Sequence, residues 1–277
     1  VGTAAEDVRK FNAKFSELSD TIFDAVSEAE QGTSNIITDT SATDVDAITL
    51  GKTYGCTSSG AVYGDINSGG IAGSMAIEYA LDPEDDVSGD LSGGYRRQYE
   101  YKAVLQSCVS TSGVTSKRSY AGAICGRMDL GLITDCEGYG KVASESGSYV
   151  GGIAGVSAGT VRYCFAKTAL SGQKYVGGIV GSGVEQDASG DGSLVAGCYA
   201  EPEISGCHQY AGAISGADAG TFLENYYLSD TLAGINRQSY AGKAEPVSFE
   251  ELSRLENLPE AMRVFTLSFV ADDEVVF

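Results

Sequence analysis

Ser-Tyr-Val-Gly-Gly-Ile-Ala-Gly at 148–155 returns as Lys-Tyr-Val-Gly-Gly-Ile-Val-Gly at 174–181, and this recurrence decides how the chain folds. Ala replaces one glycine in Ser-Tyr-Ala-Gly-Ala-Ile-Cys-Gly at 119–126 and in Gln-Tyr-Ala-Gly-Ala-Ile-Ser-Gly at 209–216. An earlier copy, Ser-Gly-Gly-Ile-Ala-Gly, occupies 68–73, and two shorter echoes are Ser-Gly-Gly-Tyr at 92–95 and Ser-Tyr-Ala-Gly-Lys-Ala at 239–244. With the Ile position as anchor the copies fall at 71, 95, 124, 153, 179, 214 and 244, in steps of 24 to 35 residues. Cysteine keeps the same beat. Cys56, Cys108, Cys136, Cys164 and Cys198 each precede the next anchor by 15 to 17 residues, and Asn225 takes that slot in the last repeat.

Between the anchors the chain is cut into short extended pieces by Gly, Ser and Asn, and no segment inside the array keeps a helical period for ten residues. A repeat of this length, with three short strands and tight turns, is one coil of a parallel β-helix, whose neighbours supply the hydrogen bonds that a single coil lacks. The expected fold is all-β: a right-handed parallel β-helix of about seven coils with helical caps at both ends. Right-handedness follows the crossover rule for parallel strands. The Gly pairs fit backbone positions that turn through positive φ or pack closely, and the Ile between them points inward.

Residues 4–31 place Val8, Phe11, Phe15, Leu18, Ile22, Val26 and Ala29 in alternating steps of three and four, which predicts an amphipathic helix laid over the first coil. Ser248-Phe249-Glu250-Glu251 has capping-box spacing and opens a short helix to about Glu256 that Pro259 stops or restarts. Phe265 to Val270 alternates as a strand. The chain therefore divides into an N-terminal cap at 1–49, repeats at 50–247 and a helix-strand cap at 248–277. It begins at Val1 without a basic-then-apolar leader, which fits a trimmed or mature segment.

Gly70-Ile71-Ala72-Gly73, Gly152-Ile153-Ala154-Gly155 and Gly178-Ile179-Val180-Gly181 resemble the GLUG motif, a Gly-Leu-hydrophobic-Gly signature of repeats in large bacterial surface proteins. The resemblance spans about residues 50–247, with the pattern departing at Tyr95 and Lys243. It implies a scaffold that is secreted, at the cell surface or attached to the cell wall. Such scaffolds are often one module of an adhesin-like chain, and the likeness carries no chemistry by itself.

Composition narrows the function classes. Eighteen Lys and Arg against 38 Asp and Glu give a formal charge of −20, which repels phosphate backbones and anionic membrane surfaces. No apolar run approaches the length of a membrane span. A single His rules out multi-His metal sites and argues against His-based triads built within this chain. The seven cysteines are odd in number and five share one repeat slot, so an inward ladder of small apolar thiols is favoured over disulfides. Cys125 stands where other repeats have Ala72, Ala154, Val180 and Ser215, and packs as they do.

Each remaining motif has a plain reading. Cys207 and His208 adjoin in sequence, but neighbours on a strand point to opposite faces, so they form no dyad. Asp187 to Gly192 carries oxygen donors at alternate positions and Gly at the sixth, like half of a calcium loop, yet the twelfth residue is Cys198 where a bidentate Glu is needed. A flexible acidic turn is the simpler account of 187–192, and no other cofactor is suggested. Basic residues from Arg96 to Lys174 are scattered over the repeat, and Asp129 and Asp135 have no recurring partner, so no catalytic, cofactor or metal residue is assigned. Tyr120, Tyr149, Tyr175, Tyr210 and Tyr240 share a slot; the ladder packs on itself or, exposed, stacks against a partner. Loops at 82–90 and 183–193 break the coil length and are where such a scaffold diversifies binding.

The expected function is therefore a non-enzymatic extracellular module for adhesion or ligand binding within a bacterial surface protein. Its partner would be a host or bacterial surface protein or glycan, with no nucleic acid and no membrane insertion. The alternatives are a carbohydrate-active β-helix enzyme, lyase or hydrolase, and a purely structural stalk.

Overall fold

The computed structural model describes residues 37–47, 49–76, 99–185, 192–207, 209–238, 241–263, 270–271 and 274–275. The chain forms two compact units, one of Val1–Thr40 with Leu81–Tyr101 and one of Ser41–Ala80 with Lys102–Phe277. In the first, Ile37–Asp39 pairs in parallel with Tyr99–Tyr101. Among its described residues the second is all-β apart from the short helix Phe249–Ser253 and a 3-10 turn at Glu260–Arg263. Its sheets are parallel except for the hairpin pair Val270–Ala271 and Glu274–Val275, and among the described residues no helix is long and apolar enough to cross a membrane.

Strand pairing in the second unit is that of a β-helix-like solenoid. A full repeat crosses four faces in turn, and each face is a parallel ladder with one strand per repeat, save the second, where the first two repeats give two short strands each. The first face stacks Lys52–Tyr54, Val104–Gln106, Leu132–Thr134, Thr160–Arg162, Leu194–Ala196 and Thr221–Leu223. The second and longest runs from Ala61–Gly64 through Tyr199–Ser205 to Ala244–Pro246. The third stacks the Gly dipeptides from Ser68–Gly69 to Gln209–Gly212, and the fourth runs from Ala72–Met75 to Val180–Gly183. Among the described residues four repeats carry all four faces. A fifth reaches the last face as the single bridge at Ser215, and a sixth is reduced to Thr221–Tyr227 and a bridge at Ile235.

The structure alters the count of repeats. The anchor at Tyr95 lies outside the described residues, and Ala72 pairs directly with Cys125, so no repeat stands between those anchored at Ile71 and Ile124. Ala244, read from the sequence as the last anchor, stands opposite Asn225 on the second face, so it follows the cysteine slot and not the isoleucine one. The predicted helix at 4–31 also lies outside the described residues.

The interior is a set of side-chain columns. Ile124, Ile153, Ile179, Ile214 and Ile235 are fully buried, as are Ile133, Val161 and Val195 of the first face and Val114, Val142 and Val176. Complete burial of each such side chain contributes about 1.5–3 kcal/mol. The Gly preceding each Gly/Ala-Ile pair (Gly69, Gly122, Gly151, Gly177, Gly212) is required by close approach. A Cβ there would be driven into the carbonyl oxygen of Ala72, Cys125, Ala154, Val180 or Ser215 three residues on. None of these five glycines has positive φ, so packing, not turning, selects them.

The C-terminal helix lies along a flank. Its capping box is formed, with Glu251 N–H donating to Ser248 Oγ at 3.2 Å and Ser248 N–H to Glu251 Oε2 at 2.8 Å. Leu252, Leu258 and Met262 are buried against Tyr139, with Phe165 and Tyr199 beside them. Those aromatics form a column on the second face, Phe165 to Tyr199 at 5.5 Å between centroids and Tyr199 to Tyr226 at 5.1 Å. The segment thus covers an apolar stripe that crosses several repeats.

Candidate functional site

Each repeat enters its third face through a left-handed residue: Asn67, Tyr120, Tyr149, Tyr175 or Tyr210, with φ between 55° and 66°. L-residues other than Gly and Asn avoid this region at about 1–2 kcal/mol each, so four tyrosines there need a compensating interaction. Their rings supply it. Centroids of successive tyrosines are 5.1, 4.7 and 4.6 Å apart with interplanar angles of 20°, 7° and 13°, and each stacked pair contributes about 0.5–1.5 kcal/mol. The ladder therefore packs on itself. Tyr120, Tyr149 and Tyr175 are half-buried and Tyr210 is exposed; Tyr240 lies outside the described residues. Because the ring faces are covered by neighbours, the column offers a ligand its ring edges and hydroxyls.

A notch of about 240 Å³ opens beside Tyr120 and Tyr149 on the fourth face. The register position of that face is Ser74, Arg127, Val156 and Ser182 in successive repeats, and the short Val156 and Ser182 after the long Arg127 line the depression. Arg127 Nε donates to Asp129 Oδ1 at 2.7 Å, and its guanidinium carbon stands 5.5 Å from the Tyr120 centroid. Asp129 holds the guanidinium charged beyond its ordinary range. A fixed set of donors beside a carboxylate acceptor and phenol edges is suited to a polyhydroxylated or amide-bearing ligand.

The cysteine column lies inside. Cys108, Cys136, Cys164 and Cys198 are fully buried, Cys56 is exposed on the first repeat, and all seven thiols are free. A left-handed residue precedes each: Gly55, Ser107, Asp135, Tyr163 and Gly197. Each buried thiol donates to the carbonyl two residues back, at 3.4, 3.3, 3.2 and 3.4 Å for Cys108, Cys136, Cys164 and Cys198. Cys136 Sγ also accepts from the Cys108 N–H at 3.4 Å. Asn225 completes the column. Its Oδ1 accepts from Cys198 N–H at 3.1 Å, and its Nδ2 donates to the carbonyls of Val195 and Lys243. Burial pushes the Cys164 thiol well up from its ordinary range, and Cys125, packed in the slot of Ala72 and Ala154, is pushed up to about 12 by burial. Cys164 and Cys125, neutral and enclosed, are packing groups and poor nucleophiles.

The other singled-out residues do not converge. Cys207 is half-buried and donates to the Gln209 carbonyl at 3.0 Å, while His208 lies outside the described residues. Asp135 is one of the left-handed residues and accepts from Thr134 Oγ1 at 2.9 Å, apart from the Arg127–Asp129 pair. Residues 187–191 of the calcium-like loop and the acidic stretch 82–86 lie outside the described residues. Among the described residues no three His, Cys, Asp or Glu side chains are grouped to hold a metal ion. Sequence reasoning missed the Arg127–Asp129–Tyr120 notch, because only the coiling of the repeat brings the outward position of one face beside the corner of another. Searches with the chain match no family model, no curated protein and no solved structure.

Proposed function

We propose that this chain is a right-handed parallel β-helix module of a bacterial cell-surface or secreted protein, of the GLUG-like kind, that binds a ligand without turning it over. The observation that carries the reading is the tyrosine column: four rings held at left-handed positions, in register along one flank, beside the Arg127–Asp129 notch. Strain retained at four successive repeats and presented at the surface is expected of a binding surface. The partner is a host or bacterial surface protein or glycan, met through hydroxyl and amide groups at the notch and phenol edges. The reading includes an extracellular location, no catalytic set, no cofactor and no nucleic-acid partner, the last because of the charge of −20.

A screen of the purified chain against host and plant glycans and surface proteins, with product analysis on every binder, tests this. Binding without turnover that weakens about tenfold or more in Arg127→Ala is expected, a loss typical of one charge-assisted contact. Release of cleaved product would overturn it in favour of a carbohydrate-active enzyme, and no binding at all in favour of a structural stalk.

A further inference from the structure

The strand Tyr199–Ser205 is paired along its whole length on one side and for two residues on the other. Toward the preceding repeat its register runs from Phe165↔Tyr199 to Ser171↔Ser205. Toward the following repeat it holds only Tyr199↔Tyr226 and Ala200↔Tyr227, the last bond running from Leu228 N–H to the Ala200 carbonyl. In a parallel ladder alternate residues send both backbone groups to the same side. Tyr199 N–H reaches back to the Cys164 carbonyl, so residues 201, 203 and 205 face backward and 200, 202 and 204 face forward. Pro202 has no N–H to offer. The carbonyl of Pro202 and both backbone groups of Ile204 therefore point to the side that the chain leaves after Leu228.

Against this edge opens a groove of about 1140 Å³, bounded by Ile204, Leu228, Val247 and Pro246. Ile204 continues the apolar column of Val114, Val142 and Leu170 and is only half-buried, as are Leu228 and Val247 beside it. The rim carries Glu203 and Asp230, both exposed and with no ion-pair partner among the described residues, whereas Glu201 is bridged to Lys167 at 3.1 Å. A half-open strand edge, an apolar floor and an unbalanced acidic rim are the three parts of a strand-addition site. The charge of −20 makes a second copy of this chain a poor occupant and a basic segment a good one.

We propose that the groove receives an extended Lys- or Arg-bearing segment of another protein, which adds as a short strand to the Pro202–Ile204 edge. Its basic side chains meet Glu203 and Asp230, and an apolar one rests on Ile204, Leu228 and Val247. Pro202 limits the edge to this short pairing and discourages longer, indiscriminate sheet growth. The inference stands on backbone register and is independent of the tyrosine flank.

Fluorescence anisotropy of labelled octapeptides on the full chain tests it. A Lys-Val peptide repeated four times should bind saturably, and its Glu-Val counterpart should not. Methylating every backbone amide of the Lys-Val peptide should weaken binding about tenfold or more, since the loss of even one or two hydrogen bonds has this size. Glu203→Lys combined with Asp230→Lys, exposed changes that should leave the circular dichroism unchanged, should weaken it at least as much. No saturable binding would overturn the proposal. So would binding that ignores backbone methylation, which is charge attraction alone, or binding that ignores the double charge reversal, which places it elsewhere. Concentration-dependent self-association in sedimentation that the Lys-Val peptide displaces would overturn the choice of occupant by showing a second copy in the groove.

Discussion

Five successive repeats turn twice through a left-handed residue, and the two corners are filled in opposite ways. Before the cysteine column the corner holds Gly55, Ser107, Asp135, Tyr163, Gly197 and Glu224, six positions with five residue types and φ from 51° to 64°. Before the third face the corner holds Asn67 and then tyrosine in four successive repeats, at nearly the same φ. Equal backbone strain has thus selected no residue in one corner and one residue in the other. The difference arises from the residues next along the chain. At the first corner the recurring group is the next side chain, a thiol that turns inward, so the corner residue itself is free to vary. At the second, the next residues are a small apolar side chain and a glycine that tolerates no Cβ, and the corner residue itself carries the column through ring stacking.

The largest expected effect breaks the second corner at its glycine. Gly151→Ala puts a Cβ against the Ala154 carbonyl and should cost about 3 kcal/mol or more, read as a lower midpoint in chemical denaturation. Next comes the end of the first corner's column. Asn225→Val leaves the Cys198 N–H and the Val195 and Lys243 carbonyls without their partner, for about 2–3 kcal/mol, whereas Asn225→Cys continues the thiol column and should cost under about 1 kcal/mol. If both variants lose equally, the view of Asn225 as a terminal member of that column is wrong.

Alkaline titration separates the interior from the corners. Cys125 is neutral when folded up to about 12, while its ordinary value is near 9. Above pH 9 the unfolded chain gives up this proton and the folded chain keeps it, so stability is complete below pH 9 and falls as pH rises toward 12. The loss at pH 10 should be about 1.4 kcal/mol from this thiol, and Cys125→Ala should remove that share of the pH dependence. The smallest effect compares the corners directly. Tyr149→Asn keeps a residue that accepts the left-handed region and loses two stacked rings, for about 1 kcal/mol, while Asp135→Asn should change stability by less than about 0.5 kcal/mol in the same assay. Equal losses would mean that stacking is not what holds tyrosine in its corner.

Much of this fold is legible in the sequence. The anchor Ile residues, the cysteine slot and the placement of Cys125 come from spacing, and the continuation by Asn225 from its neighbours, because a parallel ladder in register turns a sequence repeat directly into a spatial column. Other features are not legible there. Ser-Gly-Gly-Tyr at 92–95 looks like an anchor, yet Ala72 pairs with Cys125 across it, and a short motif does not reveal whether its strand finds neighbours. The Gly pairs suggest a turn, but the turning residue is the tyrosine before them. The capping box at Ser248 marks a helix without saying which surface its Leu252 covers, and that surface is the column of Phe165 and Tyr199.

The sequence by itself determined the period, the parallel pairing and the identity of the isoleucine and cysteine columns, since these depend on which residues recur. Only the tertiary structure decided where the columns stop, which face lies beside which corner, and which strand edge is left open at Ile204. Those depend on contacts between positions on different faces and in different repeats, where a change of path after Leu228 removes a partner that no local pattern records.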